Sequence, residues 1–392
     1  MRGVVKESPI ALLVVDEAHC ISQWGHDFRT SYRRLSGLKE ELGVPVLALT
    51  ATATRPVARD ILKQLGMVKP KGFKGSFFRP NLHVHARKKG QGGDTRREIL
   101  ALIRQRRGQS GIVYCQSRKT VEQMAEFLNS RGVRALPYHA GLDDATRAAN
   151  QEAFRRDEVD VICATIAFGM GIDKSNVRFV IHRDMPKDVE SWYQEIGRAG
   201  RDGEISDCFL FYSWADVKMH ERFLDQIDDV ELQRAKHRGT VELFELLERK
   251  RCRHRSIVAW FDEQIENCGD SCDVCLGVSV EETTRELLAA GLGGTAGRSR
   301  SKVRERVLWE GDVVPDFDPD RDSLYERLKA LRKKFADERN VPAYVVFSDR
   351  TLREMAARKP ATDDELLQVS GVGPQKLERY GDAFLEVIRA GA

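Results

Sequence analysis

Two short tracts, far apart in the chain, carry side chains that could bind and hydrolyse a nucleoside triphosphate. The first is the acidic tract Asp16-Glu17-Ala18-His19. It follows the apolar run 11–15, so we expect its carboxylates at the carboxyl end of a buried parallel strand, where open α/β sheets place their ligands. At that position Asp16 could hold Mg²⁺ and Glu17 could hold a water molecule.

The second tract, 193–201, supplies an amide and two cations. Gln194, Arg198 and Arg201 recur at four- and three-residue spacing, so on a single helix they would share one face. A cationic face of this kind stabilises the charge on a transferring γ-phosphoryl group, as arginine fingers do. Together the two tracts predict ATP as a ligand.

Such a site also needs a phosphate-binding loop, because backbone N–H groups and a lysine must cradle the phosphates. The sequence contains neither Gly-Lys-Ser nor Gly-Lys-Thr. The glycine-rich segment 291–299 has Arg298 in place of the lysine and is typical of a flexible linker. We therefore expect the chain to begin inside a domain, as a fragment of a longer protein, which leaves ATP turnover by this chain alone open.

Length and composition restrict the classes of protein to consider. The 392 residues suffice for two to four domains, and 41% hydrophobic with 32% charged residues is ordinary for a globular protein. No apolar stretch of roughly 20 residues and no signal peptide is apparent, so we expect a cytoplasmic protein without membrane contact. The net charge is +4, with Lys and Arg gathered in blocks. One block alone reads as a solvated helix face, whereas several favour a nucleic-acid partner.

The cysteines fall into two groups by spacing. Four are scattered in apolar surroundings and are typical of buried inert thiols: Cys20, Cys115, Cys163 and Cys208. The other four have metal-ligand spacing: Cys252, Cys268, Cys272 and Cys275. Four thiolates suit tetrahedral Zn²⁺, with an iron–sulfur cluster as the alternative, and disulfides are not expected in a chain without a secretory signal.

The elements that must position these residues alternate between short apolar strands and amphipathic helices up to about residue 212, which predicts an α/β fold with parallel sheets. Strands are predicted at 11–15, 46–49, 111–115, 159–163, 179–181 and 207–212, with helices at 120–129 and 147–154. The pattern then becomes helical, at 219–232, 241–250, 281–290, 322–337, 348–357, 362–368 and 374–390. Ser348 and Thr362 are predicted N-caps.

The loop that follows the acidic tract holds more aromatic and hydrogen-bonding side chains than a connector needs. Trp24, Phe28 and Arg29 could grip single-stranded DNA, since stacking on aromatic faces tolerates any sequence and contributes about 1–3 kcal/mol per base. The alternative is that Trp24 and Phe28 belong to a core, which the polar residues around them disfavour.

In this order and spacing, the motifs resemble those of RecQ-type helicases of superfamily two. The tract 16–29 is distinctive of that family, and the similarity continues at 48–54, 78–82, 114–118, 138–142, 164–174 and 193–201. The resemblance implies two RecA-like parallel-sheet lobes, the first partial and the second complete. It assigns Asp16 to Mg²⁺, Glu17 to the attacking water and His19 to coupling between nucleotide and DNA. The tract 48–54 would link the state of ATP to lobe movement.

The resemblance also implies further contacts with DNA and with the nucleotide. The DNA contacts are Ser117, Arg118, His139 and Thr165, in addition to Trp24, Phe28 and Arg29. The nucleotide contacts are Gly169 and Asp173, in addition to Arg198 and Arg201, with Gln194 completing the group that faces the γ-phosphate.

RecQ proteins carry a helical zinc-binding region after the second lobe, which implies that the four clustered cysteines hold a structural Zn²⁺. The tail resembles the small all-helical HRDC domain, in which the turn 371–374 could bind phosphate or simply join two helices. The predicted domains are a partial first lobe at 1–78, a second lobe at 79–214, the zinc-binding region at 215–278, a linker at 279–313 and the HRDC-like domain at 314–392. The family also has a winged-helix domain, and the stretch between the zinc-binding region and the HRDC-like domain is too short to contain it.

The function that the resemblance implies is that of an ATP-dependent 3′-to-5′ DNA helicase acting in recombination and repair. Its partners would be single-stranded and branched DNA, ATP and DNA-repair proteins. The competing hypothesis, which follows from the missing phosphate loop, is a motor-dead, zinc-stabilised protein that binds DNA or anneals strands.

Overall fold

The computed structural model describes residues 10–22, 29, 31–90, 93–169, 173–225, 227–291 and 323–390. Trp24 and Phe28 of the predicted base-stacking loop, and most of the segment 291–299, lie outside these residues. The strands are β1 (Leu13–Val15), β2 (Val46–Ala48), β3 (Leu82–Lys88), β4 (Ser110–Tyr114), β5 (Ala135–Tyr138), β6 (Val161–Ala164), β7 (Val177–His182) and β8 (Ser206–Tyr212).

The helices of the first two hundred residues are α1 (Leu38–Leu42), α2 (Arg55–Gln64), α3 (Thr95–Gln105), α4 (Arg118–Asn129), α5 (Asp144–Arg155) and α6 (Val189–Ile196). Those that follow are α7 (Trp214–Leu224), α8 (Val230–Glu248), α9 (Arg253–Trp260), α10 (Asp273–Leu276), α11 (Val280–Gly291), α12 (Ser323–Glu338), α13 (Ala343–Val346), α14 (Asp349–Arg358), α15 (Asp363–Leu367) and α16 (Pro374–Arg389). Short 3₁₀ helices span Ala18–Ile21 and Tyr32–Leu35. None of the described helices combines the length and apolar character that crossing a bilayer requires.

One compact unit comprises residues up to 80, 186–196 and 213–277. Strands β1 and β2 pair in parallel, and an apolar cluster lies between β1, the first 3₁₀ helix and α2: Val15, Ala18, Ile21, Val57, Ile61 and Leu65. The strand at 11–15 is parallel as predicted, but the prediction that it is buried is wrong, since Val14 is 50% exposed. Val14 pairs with Leu47 on a face of the strand pair that other described residues leave half open.

Helices α6 to α10 also belong to this unit. The helix predicted at 219–232 is wrong, because α7 ends at Leu224 and Asp229 starts α8 by accepting the Leu232 N–H at 3.0 Å. Aromatic rings hold α6 to the end of α9. Phe77 stacks on Phe261 with centroids 4.3 Å apart, and the Tyr193 hydroxyl donates to the Phe77 carbonyl at 3.0 Å.

The second compact unit comprises residues 81–185, 197–212 and those from 278 onward. Its sheet has six parallel strands in the order β3-β8-β7-β4-β6-β5. The central strands are almost wholly buried apolar runs, as strands covered on both faces should be. Helix α11, at the start of the predicted linker, packs on α3 and β3, where Arg87 lies 3.1 Å from Glu281.

The C-terminal helices α12 to α16 enclose an apolar core of their own, which includes Leu328, Phe347, Met355 and Phe384. Both predicted N-caps are confirmed. The Ser348 hydroxyl accepts the Thr351 N–H at 3.1 Å, and the Thr362 hydroxyl accepts the Glu365 N–H at 3.3 Å.

Candidate functional site

The acidic tract lies at the carboxyl end of β1. Glu17 has a left-handed backbone (φ 48°) where the chain turns from the strand into a 3₁₀ helix, and its N–H donates to Asp16 Oδ1 at 2.8 Å. The Glu17 side chain is 46% exposed and lies 3.3 Å from the buried His19 ring. Its Oε2 atom is buried and accepts no hydrogen bond within the described residues. A carboxylate oxygen left in this state fits a bound water or a hydrated Mg²⁺.

A hydrogen-bonded path joins His19 to Gln194 within the first unit. His19 Nδ1 lies 2.9 Å from Thr50 Oγ1, and that hydroxyl donates to the Thr52 carbonyl at 2.9 Å. Gln194 Nε2 in turn donates to Thr52 Oγ1 at 2.9 Å. Sequence reasoning noticed the hydroxyl-rich tract 48–54 but proposed neither threonine as a site residue. The signal in the sequence is the hydroxyl residue at every second position after β2, at Thr50, Thr52 and Thr54.

The two arginines do not share a helix with Gln194, so that prediction is wrong. Helix α6 ends at Ile196, and Arg198 and Arg201 lie in the turns that follow. The physical cause is the glycine content of this stretch, since Gly200 adopts φ +57° and Gly203 φ +83°, which a helix cannot accommodate.

Arg198 lies against the predicted nucleotide contact Gly169. A Cβ added to Gly169 would be 3.0 Å from an Arg198 Nη atom and 3.1 Å from the Ile166 carbonyl, so any other residue would crowd this approach. Arg198 is half-buried and its Nε is buried without a hydrogen-bond partner among the described residues, whereas Arg201 is exposed. A half-buried guanidinium with an unused N–H beside a bare glycine backbone fits a phosphate group.

Replacing Gly200 with Ala is expected to destabilise the protein more than replacing Gly203 with Ala. Both glycines have a left-handed backbone, which costs an L side chain about 1–2 kcal/mol. At 200 the new Cβ would also lie 2.5 Å from Asn81 Nδ2 and 2.8 Å from the Glu204 carbonyl, whereas at 203 nothing lies within 4 Å. Urea denaturation measures the two free energies of unfolding, and equal losses would contradict this account.

The predicted DNA contacts of the second unit meet at one edge of its sheet. Strands β4, β5 and β6 run in parallel, and Ser117, His139 and Thr165 follow their carboxyl ends within three residues. The Thr165 N–H donates to the Tyr138 carbonyl at 3.2 Å, which ties two of these segments together.

Two of the predicted DNA contacts, Ser117 and His139, make hydrogen bonds within the protein. The Ser117 hydroxyl caps α4 by accepting the Thr120 N–H at 3.1 Å. His139 is 2% exposed, and its Nδ1 accepts the Gly141 N–H at 3.2 Å. Arg118 lies against the same turn, since a Cβ at Gly141 would be 3.0 Å from its Cδ. In the first unit Arg29 is described, and its N–H donates to the Cys20 carbonyl at 2.9 Å.

The four clustered cysteines form a metal site in the first unit. One sulfur from each of Cys252, Cys268, Cys272 and Cys275 lies within 4.8 Å of the other three. Cys252 starts α9 and its sulfur accepts the N–H groups of Arg255 at 3.5 Å and Cys268 at 3.3 Å. Backbone N–H groups aimed at sulfur stabilise a thiolate, so both the donor set and its surroundings fit tetrahedral Zn²⁺.

The thiols of the cluster do not ionise independently, because a thiolate at one sulfur opposes ionisation of its neighbours. Hydrogen bonding from Cys268 lowers the pKa of the Cys272 thiol to about 4, whereas burial raises the pKa of the Cys275 thiol to about 11. A divalent cation relieves this opposition, because it lets all four sulfurs ionise. The cysteines predicted to be inert, Cys20, Cys115, Cys163 and Cys208, are all buried, and burial raises the pKa of Cys115 and Cys163.

A buried ion pair braces the metal site. Arg253 and Asp273, each 8% exposed, follow two of the cysteines directly and meet through two contacts, Nε to Oδ1 at 2.9 Å and Nη2 to Oδ2 at 3.2 Å. Sequence reasoning missed this pair, because twenty residues separate its partners and only the fold brings them together.

Three family models match the chain: helicase conserved C-terminal domain at 94–203, RecQ zinc-binding at 214–276 and HRDC domain at 321–388. The ATP-dependent DNA helicase RecQ of Haemophilus influenzae is 33% identical, over 98% of this chain and 76% of that protein. The protein of the same name from Bacillus subtilis is 37% identical, over 97% of this chain and 77% of that protein. The RecQ-like DNA helicase BLM of Xenopus laevis is 42% identical, over 71% of this chain and 21% of that protein.

A parallel-sheet helicase lobe followed by a zinc-binding region and a helical tail defines a helicase enzyme. The chain belongs to the RecQ family of ATP-dependent DNA helicases, as its motifs predicted. The predicted α/β fold class and the Zn²⁺ site are confirmed, and ATP with Mg²⁺ is expected for a helicase. The competing hypothesis of a motor-dead binding protein is not favoured by these matches.

Proposed function

We propose that the chain couples ATP hydrolysis to separation of DNA strands, moving 3′ to 5′ on single-stranded or branched DNA in recombination and repair. The observation that carries this proposal is the path from Glu17 through His19, Thr50 and Thr52 to Gln194. It connects the acidic tract to the helix that leads to Arg198 and Arg201. A change in the ligand of Glu17 would therefore alter the hydrogen bonds of Gln194, which is far from Glu17 in the sequence.

The acidic tract would carry the hydrolytic chemistry. ATP supplies the γ-phosphoryl group and Mg²⁺ neutralises charge on its oxygens. Asp16 would hold the metal through its carboxylate. Glu17, whose buried oxygen accepts no hydrogen bond from the described residues, would orient the attacking water and accept its proton. The His19 ring, 3.3 Å from this carboxylate, would help to orient it.

Arg198 and Arg201 would stabilise the charge that develops on the phosphoryl group. The close approach of Arg198 to Gly169 supports this role, because the bare backbone there leaves room for a phosphate oxygen. Asp173 lies a few residues further along the same segment and would complete the nucleotide contacts.

DNA would cross the carboxyl edge of the second sheet. Arg118 and Thr165 supply a cation and a hydroxyl for phosphates, while Ser117 and His139 shape the turns that present them. Trp24, Phe28 and Arg29 would stack on the bases. We also propose the domain boundaries predicted from the sequence, a cytoplasmic location and DNA-repair proteins as partners.

Replacing Glu17 with Gln is expected to lower ATP hydrolysis about 10²- to 10⁴-fold, since the amide cannot accept the proton of water. The assay uses single-stranded DNA and a chain in which a phosphate-binding loop precedes this sequence. Glu242→Gln, an exposed glutamate on α8 of the same unit, is the matched control and should hydrolyse ATP at the parent rate. Undiminished hydrolysis by Glu17→Gln would refute the assigned role.

Polarity is read in the same preparation from duplexes that carry a single-stranded tail at one end. Unwinding of the 3′-tailed duplex alone is the expected result. Equal unwinding of the 5′-tailed duplex would refute the proposed direction without touching the assignment of Glu17.

A further inference from the structure

A line of buried charges joins the C-terminal helices to the sheet within the second unit. Arg332 on α12 donates to Asp349 Oδ1 at 2.7 Å, and these side chains are 2% and 11% exposed. The other carboxylate oxygen of Asp349 lies 3.9 Å from Nε of Arg178, on β7. Arg178 also pairs with the buried Asp202. Positive and negative groups thus alternate from α12 to the turn that follows Arg201.

A second ion pair reaches the same turn from α14. Arg353, 24% exposed, pairs with Glu204, 19% exposed. The Glu204 N–H donates to Asp202 Oδ1 at 3.2 Å, and Asn81 Nδ2 donates to the Gly200 carbonyl at 2.9 Å. The turn is therefore held by β3 on one side and by the C-terminal helices on the other.

A third contact reaches the segment that carries the other predicted nucleotide residues. The Tyr344 hydroxyl, from α13, donates to the Asp173 carbonyl. The two residues line a cavity of about 220 Å³ together with Lys174, which is 1% exposed and pairs with Asp157. The C-terminal helices thus contact both segments of the second unit to which nucleotide contacts are assigned.

The Asp349 carboxyl is held in its ionised form within this contact. Burial opposes ionisation of Asp349, but Arg332, Arg178 and Arg353 outweigh it and hold the pKa of its carboxyl well below the ordinary value. The C-terminal helices have an apolar core of their own, and the contacts of Asp349 with Arg178 and of Arg353 with Glu204 lie outside it. Charges taken out of water in this way fix one geometry, because a displaced partner leaves an unpaired buried charge behind.

We propose that the C-terminal helices dock on the sheet of the second unit, to which they belong, and position the turn 197–206, so that Asp349 and Arg353 are positioning residues for Arg198 and Arg201. The docking follows from the contacts alone, whereas its effect on hydrolysis rests on the proposed function of the two arginines. The HRDC-like domain then holds the turn 197–206 of its own chain in position.

The test uses Arg353→Glu, because Arg353 lies outside the apolar core of the C-terminal helices and Asp349 has its own hydrogen bond from Arg332. In the full chain, hydrogen–deuterium exchange of amides 197–206 is expected to become at least tenfold faster. Adding Glu204→Arg restores an ion pair of reversed sign and should return exchange to the parent rate. Arg350→Glu, an exposed site on the same helix, makes the same charge change and should have no effect. Exchange in Arg353→Glu equal to that in Arg350→Glu would overturn the docking.

Hydrolysis separates the docking from its consequence. With a phosphate-binding loop ahead of the sequence, Arg353→Glu is expected to lower kcat for ATP about tenfold to 10²-fold with little change in KM, and the reversed pair should restore it. Faster exchange with an unchanged kcat would overturn the positioning role. If Arg201→Ala itself retains the parent kcat, the proposed function fails, while the exchange result still reports on docking.

Discussion

Replacing Arg201 with Ala is expected to lower ATP hydrolysis about 10³- to 10⁵-fold, the range over which an arginine acts on a transferring phosphoryl group. Arg201 is exposed and lies in the turns after α6, so its loss should leave the fold intact. Because the guanidinium would act on charge that exists only in the transition state, kcat should fall by about as much as kcat/KM.

Three further variants sharpen this measurement. Arg198→Ala should have an effect of similar size, since Arg198 lies against Gly169. Arg201→Lys keeps the charge but loses the planar fork, so an intermediate rate is expected. Arg107→Ala is the control, because Arg107 is an exposed arginine just ahead of β4, at the opposite edge of the sheet from Ser117. Loss of activity in the control as large as in Arg201→Ala would refute a specific role.

The central strands of the second sheet could be predicted because they are covered on both faces and therefore read as apolar runs. The edge strands β3 and β5 lack such a continuous apolar run, so their signal is weaker. In β3, polar and charged residues alternate with Leu82, Val84 and Ala86, and β5 contains Pro137. Proline is tolerated at an edge, where its missing N–H is not needed by a neighbouring strand, but in a sequence it argues against a strand.

The candidate sites differ in whether their residues lie close together in the sequence. The metal site was predictable because its ligands cluster in sequence and cysteine has few other uses at that spacing. The path through Thr50 and Thr52 was not, because Gln194 lies 142 residues from Thr52. Gln194 and Arg198 do not share a helix, because spacing alone does not show that the chain leaves the helix before Gly197 and Gly200. The docking of Asp349 near Arg178 has no local signal.

Replacing Cys272 with Ser is expected to abolish Zn²⁺ binding and unfold the region around α9 and α10. Structural zinc contributes about 10–16 kcal/mol of apparent binding free energy in small zinc domains, which exceeds what the short helix α10 could gain from its own contacts. Without the metal the buried Arg253–Asp273 pair loses the frame that aligns it. We expect zinc content to fall from one equivalent to none and proteolysis to begin within 250–277.

Cys115→Ala is the matched control, since Cys115 is also a buried cysteine but lies outside the cluster. It should keep one equivalent of zinc by elemental analysis and the parent pattern of proteolysis. Prolonged treatment of the parent protein with a strong chelator should reproduce the Cys272→Ser pattern, because both remove the same link between α9 and α10. Retention of zinc by Cys272→Ser would refute the four-cysteine site. Iron and visible absorbance in the parent protein would show that the site holds an iron–sulfur cluster and not zinc. Proteolysis of the second unit shows whether the effect of the metal is local. The sheet of that unit has an apolar core of its own, so the unit should stay resistant to proteolysis after zinc is lost.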